Sequence, residues 1–151
     1  MRRTFLVATD GSPAATAAVE AGVQLASEQD AGVTFLHVVE PDGVVAPPFG
    51  AMIAKPIALD KPEEDEPLAA AAEIARANDV RFDLRLVAGF DYETILATAD
   101  EIDAILIAVG SNRHGALGTA FLGSVSQELL KRSRRPLLVV HPTSAPVPAA
   151  V

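Results

Sequence analysis

The sequence contains no cysteine, few aromatic residues and no long apolar run. The absence of cysteine excludes disulfides, thiolate catalysis and zinc–thiolate sites, although it is compatible with any cellular compartment. Only 5% of the residues are aromatic, whereas 50% are hydrophobic, and many of these are alanine and valine. This composition favours closely packed helices on a sheet over an aromatic-rich sandwich.

The N-terminal sequence MRRTFLVATDGS resembles a secretory signal only briefly. Its apolar stretch runs from Phe5 to Ala8 before Asp10 interrupts it, whereas a secretory signal needs roughly 7–15 apolar residues. No segment approaches the roughly 18 apolar residues that cross a membrane. We therefore expect a cytoplasmic protein without membrane association. The formal net charge of −8 also argues against general affinity for nucleic acid.

Strand and helix patterns alternate along the 151 residues. The predicted strands are residues 4–9, 33–39, 81–89, 104–110 and 136–142; the predicted helices are residues 13–28, 63–79 and 91–101 and a fourth that begins at Ser124 and ends before Pro136. Ser12 followed by Pro13 is typical of a helix start, and Ser124 with Gln127 matches a capping box. The alternation predicts an α/β fold in a single domain over residues 1–142. Its open, parallel, five-stranded sheet carries helices on both faces, in a Rossmann-like arrangement.

Two segments interrupt this regular pattern. Residues 40–62 contain five prolines among small and apolar residues, and such a density of missing N–H donors predicts a long, partly mobile loop without regular elements. The loop is either an inert insertion or a flap over a site at the end of the preceding strand. Residues 143–151 are expected to form a frayed tail.

Polar and small residues follow three of the predicted strands. Ligands of open parallel sheets bind beyond the carboxyl ends of the strands, where the strand order reverses. If the first and fourth predicted strands are neighbours, Asp10, Val38 and the segment after Gly110 converge on one crevice. Gly110 would let the chain turn sharply, and a helix N-terminus after Gly123 would favour a phosphate. The glycines alone also fit a plain turn followed by a capped helix.

Three segments together resemble the universal stress protein family: TFLVATDGSPAATAAVEAGVQLA, FLHVV and AVGSNRHGALGTAFLGSVSQELLKRSRRPLLVV. The resemblance covers nearly the whole chain and is weakest between Asp42 and Pro62. It implies a five-stranded parallel fold of the adenine nucleotide alpha-hydrolase-like type, usually in a homodimer. One branch of the family binds ATP or AMP and carries the pattern G-x2-G-x9-G-[S/T].

The resemblance assigns nucleotide-binding roles to residues that match the family's motif. Asp10 matches the acidic residue near the ribose, and Gly110, Gly123 and Ser124 match the first glycine, the third glycine and the hydroxyl position. The remaining matches lie around the base or beside the motif: Ala8, Thr9, Val38, Val109, Val125 and Ser126.

Arg113 is the departure from the motif, since it occupies the position of the second glycine. Arginine carries a Cβ and a long side chain, so it cannot adopt every backbone conformation open to glycine. It could bind phosphate oxygens with its guanidinium, or it could fill the phosphate space. The retained motif features favour nucleotide binding.

The sequence supports a binding protein more than a catalyst. The lysine of a Walker A loop and a nucleophile elbow are both missing, and the three histidines show no metal-ligand spacing. No catalytic residue is assigned, and slow ATP hydrolysis stays open. His37 is expected to be a packed, hydrogen-bonded residue rather than a base.

The expected function is a stress-response protein that senses ATP or AMP, with or without Mg²⁺, and passes occupancy to unidentified protein partners. The alternative is a nucleotide-free dimeric scaffold whose crevice Arg113 blocks; an adenylate-transferring enzyme is a third, weaker candidate. Dimerisation is expected through the last strand, from Pro136 to Pro142, because an unpaired apolar edge strand is an aggregation risk.

Overall fold

The computed structural model describes residues 2–41, 56–111 and 123–142. Its strands are β1 (Thr4–Ala8), β2 (Gly32–Val39), β3 (Ile57–Ala58), β4 (Phe82–Ala88), β5 (Leu106–Gly110) and β6 (Leu137–Val140). Its helices are α1 (Pro13–Glu28), α2 (Glu66–Ala77), α3 (Asp91–Glu101) and α4 (Ser124–Arg132). Arg113, the expected tail and most of the proline-rich segment lie outside the described residues.

The sheet has the strand order β3-β4-β2-β1-β5-β6, and all neighbours are parallel except β3 and β4. The α/β class and the largely parallel sheet are therefore confirmed. The number of strands was wrong, because β3 lies in the segment predicted to contain no regular element. Two residues without periodicity give no strand signal. This strand exists because it pairs with the end of β4, where the N–H of Leu59 donates to the Leu86 carbonyl at 2.8 Å.

The helices cover both faces of the sheet, as predicted. Helices α1 and α2 pack on one face around Phe35 and Leu68. Helices α3 and α4 pack on the other face around Leu36, Ile107 and Leu129. These five side chains are all completely buried. Each of the strands β1, β2 and β5 contributes residues to both cores, which explains why they are nearly continuous apolar runs.

Side-chain caps fix the starts of α1 and α2. The Ser12 hydroxyl accepts a hydrogen bond from the Ala15 N–H at 3.2 Å, so the predicted cap of α1 is confirmed. Helix α2 begins later than predicted, because residues 62–64 form a separate 3₁₀ turn. Asp65 then caps α2 by accepting from the Leu68 N–H at 3.1 Å. Asp65 thus caps the start of α2 and does not lie inside a longer helix.

Candidate functional site

The order of the strands reverses between β1 and β5. From β1 the chain moves outward to β2 and β4, and then returns to place β5 on the other side of β1. The first and fourth predicted strands are therefore neighbours, which is the condition under which the three strand ends converge. Because the two connections leave in opposite directions, a crevice opens at the carboxyl ends of β1 and β5.

A cleft of about 260 Å³ occupies this crevice. The predicted residues in its wall are Ala8, Thr9, Asp10, Val38, Val109, Gly110, Gly123, Ser124, Val125 and Ser126. The cleft also borders residues that were not predicted to belong to the site: Ser12, Ala14, Ala15, Leu36, His37, Asp91 and Ile95. The reversal of strand order thus brings together residues from both ends of the chain, and the cleft is a single candidate binding site.

Strand β2 extends beyond the end of β1 and presents backbone polar groups to the cleft. Thr9, the first residue after β1, donates its N–H to the Leu36 carbonyl at 2.8 Å. In a parallel ladder, alternate residues direct their N–H and C=O toward the same neighbour. Val38 is the next residue of β2 in this direction, whereas Val39 bonds toward β4. The N–H and C=O of Val38 therefore face the space beyond β1, where they offer a donor beside an acceptor.

Asp10 lies in a tight turn between β1 and α1. Its Oδ1 accepts a hydrogen bond from the Ser12 N–H at 2.9 Å. Burial by itself raises the pKa of Asp10, but hydrogen bonds from the side chain and backbone of Ser12 lower it to below its usual value. The carboxylate is thus ionised at neutral pH. Because a carboxylate has about four acceptor positions, it can also accept hydrogen bonds from hydroxyl groups of a ligand.

The N-terminus of α4 forms another wall of the cleft. The N-cap is Gly123, with φ −60° and ψ 162°, and it has no side chain to cap the helix. The capping box predicted at Ser124 was wrong, because the Gln127 N–H bonds to the Gly123 carbonyl at 3.0 Å. Gly123 is therefore the N-cap, and the helix begins at Ser124 as predicted. The N–H groups of Ser124, Val125 and Ser126 therefore precede the first intrahelical bond. Together with the helix dipole they provide a place for an anion.

Different features of the structure account for the glycines at positions 110 and 123. A Cβ on Gly110 would overlap the carbonyl group of Ala14 and lie 2.6 Å from the Ala15 nitrogen. Close packing of β5 against α1, rather than a sharp turn, thus requires this glycine. A Cβ on Gly123 would meet nothing within 4 Å among the described residues. Packing within the described chain therefore does not require Gly123, whose missing side chain leaves room in the cleft.

His37 and Asp65 form a side-chain hydrogen bond at the edge of the cleft. The Nδ1 of His37 lies 3.0 Å from both carboxylate oxygens of Asp65, and the two side chains are only 18% and 14% exposed. The side chain of His37 alternates with those of Leu36 and Val38 along β2, which belong to the core on the α3 and α4 face. His37 thus ties the end of β2 to α2, as expected for a packed, hydrogen-bonded residue.

Asp91 is the charged cleft residue that sequence reasoning missed. It is the first residue of α3 and directly follows the connection from β4. The rule that drew attention to Asp10, a polar residue just past the carboxyl end of a strand, also applies here. It was applied only to the first, second and fourth predicted strands, whereas β4 is the third. In the structure, β4 borders β2 along its length and β3 only at its last two residues.

The comparisons with known proteins identify the family. The sequence model of the universal stress protein family matches residues 1–141. The chain belongs to the universal stress protein family. The universal stress protein YxiE of Bacillus subtilis is 33% identical over 148 residues, which cover 93% of this chain and all of the relative. A Mycobacterium tuberculosis universal stress protein is 31% identical over 95% of this chain, which spans only 49% of that relative.

A solved universal stress protein has the same architecture and was crystallised in complex with cAMP. It superimposes with a TM-score of 0.69 at 25% identity and covers 93% of this chain and 98% of its own.

In residues 2–41, 56–111 and 123–142, no helix is long and apolar enough to cross a membrane. In the same residues, no three acidic or histidine side chains are grouped so that they could hold a metal ion.

Proposed function

We propose that this protein binds an adenine nucleotide, ATP or AMP, in the cleft at the ends of β1 and β5. The observation that carries the proposal is the juxtaposition of three complementary surfaces in one cleft. These are the backbone edge of Val38, the carboxylate of Asp10 and the uncapped N-terminus of α4 behind Gly123. The related structure with cAMP supports an adenine ligand for this fold.

Each surface matches one part of the nucleotide. The adjacent N–H and C=O of Val38 complement the ring nitrogen and the amino group on the edge of adenine. The ionised Asp10 accepts hydrogen bonds from ribose hydroxyls. The N–H groups of Ser124, Val125 and Ser126, which have no hydrogen-bond partner in the described part of the chain, bind phosphate oxygens, helped by the dipole of α4. Mg²⁺, when present, would arrive with the phosphates of ATP.

In this proposal the protein acts in the cytoplasm, in a stress response, by sensing nucleotide and passing its occupancy to protein partners. The proposed unit is a homodimer that pairs the last strand, from Pro136 to Pro142, with a second copy. Within the described residues β6 borders only β5, and its four apolar side chains are each only partly buried. An edge of this kind is stabilised by strand pairing.

Calorimetric titration with ATP, ADP and AMP, with and without Mg²⁺, tests the proposal. Micromolar binding that weakens in Arg113→Gly supports it and assigns the guanidinium to the phosphates. No binding by the native chain overturns it. If Arg113→Gly then binds nucleotide, the arginine blocks an inherited site and the protein is a nucleotide-free dimeric scaffold. Sedimentation of the native chain tests the dimer separately.

A further inference from the structure

Asp91 lines the same cleft as Val38. It stands four residues before Ile95, a core residue that is 3% exposed and packs on the α3 and α4 face of the sheet. Residues four apart lie on the same side of a helix, so Asp91 continues the inward side of α3 beyond the core. Helical side chains lean toward the N-terminus of their helix. This direction carries the carboxylate toward the end of the sheet where the cleft opens.

The carboxylate of Asp91 has no direct partner in the part of the chain that the structure describes. Among the described residues Asp91 makes no hydrogen bond or ion pair. Burial, followed by the nearby carboxylates of Glu40 and Asp10, raises its pKa, and only His37 acts in the opposite direction. The first turn of α3 also contains Glu93. Its carboxylate already interacts favourably with the helix dipole, so the dipole does not require Asp91. The residue is exposed at the cleft, so its carboxylate is open to accept a hydrogen bond from a bound ligand.

We infer that Asp91 selects the base of the bound nucleotide, because its carboxylate accepts a hydrogen bond from the exocyclic amino group of adenine. The inference rests on the proposed function. An exocyclic amino group has two N–H donors, of which the Val38 carbonyl accepts one and Asp91 the other. A base with an oxygen in place of this amino group would put a hydrogen-bond acceptor opposite two further acceptors, the Val38 carbonyl and the Asp91 carboxylate. The site therefore takes 6-amino purine nucleotides and rejects 6-oxo purine nucleotides.

The test measures the affinities of AMP and IMP for the native chain and for Asp91→Asn by calorimetry. The asparagine keeps the shape of the side chain, but its amide can donate to the oxygen of IMP. We expect the preference for AMP over IMP to fall at least tenfold. Asp100→Asn is the matched control: it removes the same charge from the last turn of α3, where the Asp100 side chain is 80% exposed, and its preference should equal that of the native chain.

Thermal melting accompanies each titration, and Asp91→Ser is a second variant that keeps a residue suited to a helix start. It should lose AMP affinity five- to tenfold without gaining IMP. An unchanged AMP preference in Asp91→Asn overturns the inference while the proposed function stands. Equal losses for AMP and IMP also overturn it, because Asp91 would then contact the ribose or shape the cleft. Absence of adenine nucleotide binding by the native chain defeats the proposed function itself.

Discussion

The two motif glycines of the cleft should respond in opposite ways to a side chain. Gly110 lies against α1, and a Cβ there would overlap backbone atoms of Ala14 that cannot move independently of the helix. Overpacking of this kind costs about 1–3 kcal/mol. For a domain of this size we expect Gly110→Ala to lower the melting temperature by roughly 3–10 °C.

Among the described residues, nothing lies within 4 Å of a Cβ added to Gly123, and its backbone conformation is ordinary. Serine at this position would become a true N-cap, which is worth a few tenths of a kcal/mol over glycine. Loss of glycine also restricts the unfolded chain by about 0.4–1 kcal/mol. Gly123→Ser should therefore raise the free energy of unfolding by about 0.5–1 kcal/mol.

The stabilised variant should nevertheless bind nucleotide less well. The new hydroxyl would accept from the N–H of Val125 or Ser126, a group that the phosphate needs, and its atoms would occupy the cleft. Loss of one hydrogen bond to a charged group costs about 1.5–3 kcal/mol, which is roughly tenfold or more in affinity. Urea denaturation and calorimetry on the same preparations measure both quantities.

Three results would refute parts of this reasoning. If Gly123→Ser binds AMP as tightly as the native chain while being more stable, the phosphate does not use the N-terminus of α4. If Gly110→Ala is as stable as the native chain, β5 and α1 are not as close as the structure places them. A Gly123→Ser variant that loses both stability and binding would show that Gly123 is needed for packing.

Asp65 and Asp91 provide two further predictions. Asp65→Asn keeps an N-cap and an acceptor for His37, whereas Asp65→Ser keeps the cap but is too short to reach the imidazole. We expect Asp65→Ser to lose about 2 kcal/mol in urea denaturation and Asp65→Asn less than half of this; equal losses would mean that the His37 contact contributes nothing. Because the pKa of Asp91 is raised on folding, its ionised form lowers the free energy of unfolding at neutral pH. This loss decreases as the pH falls toward the pKa of Asp91 in the unfolded chain. Asp91→Asn should therefore melt higher than the native chain at pH 7, with the difference shrinking toward about pH 4; a lower melting temperature at pH 7 would reveal a structural role for the carboxylate.

The fold and the place of the cleft could be predicted because local patterns determine them. Apolar runs bounded by turn residues, and the alternation of apolar and polar residues over 81–89, identified the parallel strands that the structure describes, and Ser12-Pro13 identified the start of α1. The order of the strands could not be predicted from the sequence, so the meeting of Asp10 and Gly110 depended on a condition that only the structure tests. The short strand Ile57–Ala58 was missed because it depends on pairing with β4 and not on its own two residues.

The finer features of the site depend on long-range contacts that no local pattern contains. His37 and Asp65 are 28 residues apart, and their pairing requires the end of β2 to meet the start of α2. The role of Gly110 was misread because the constraint comes from the backbone of α1, not from the conformation of the glycine itself. Asp91 resembled any acidic residue in a first helical turn, where negative charge is common. Only its place in the cleft distinguishes it.

Under the proposed function, the charges of the cleft indicate which part of the nucleotide each of its ends would bind. Asp10 and Asp91 line the cleft, and its described wall contains no lysine or arginine. In the proposed complex the two carboxylates would repel phosphates, so hydrogen bonds would recognise the base and ribose, and the N-terminus of α4 would hold the phosphates. Arg113, which lies outside the described residues, replaces the second glycine of the motif by a cation. If it binds phosphate, its removal should weaken ATP more than AMP, because each added phosphate brings more negative charge into an otherwise acidic cleft.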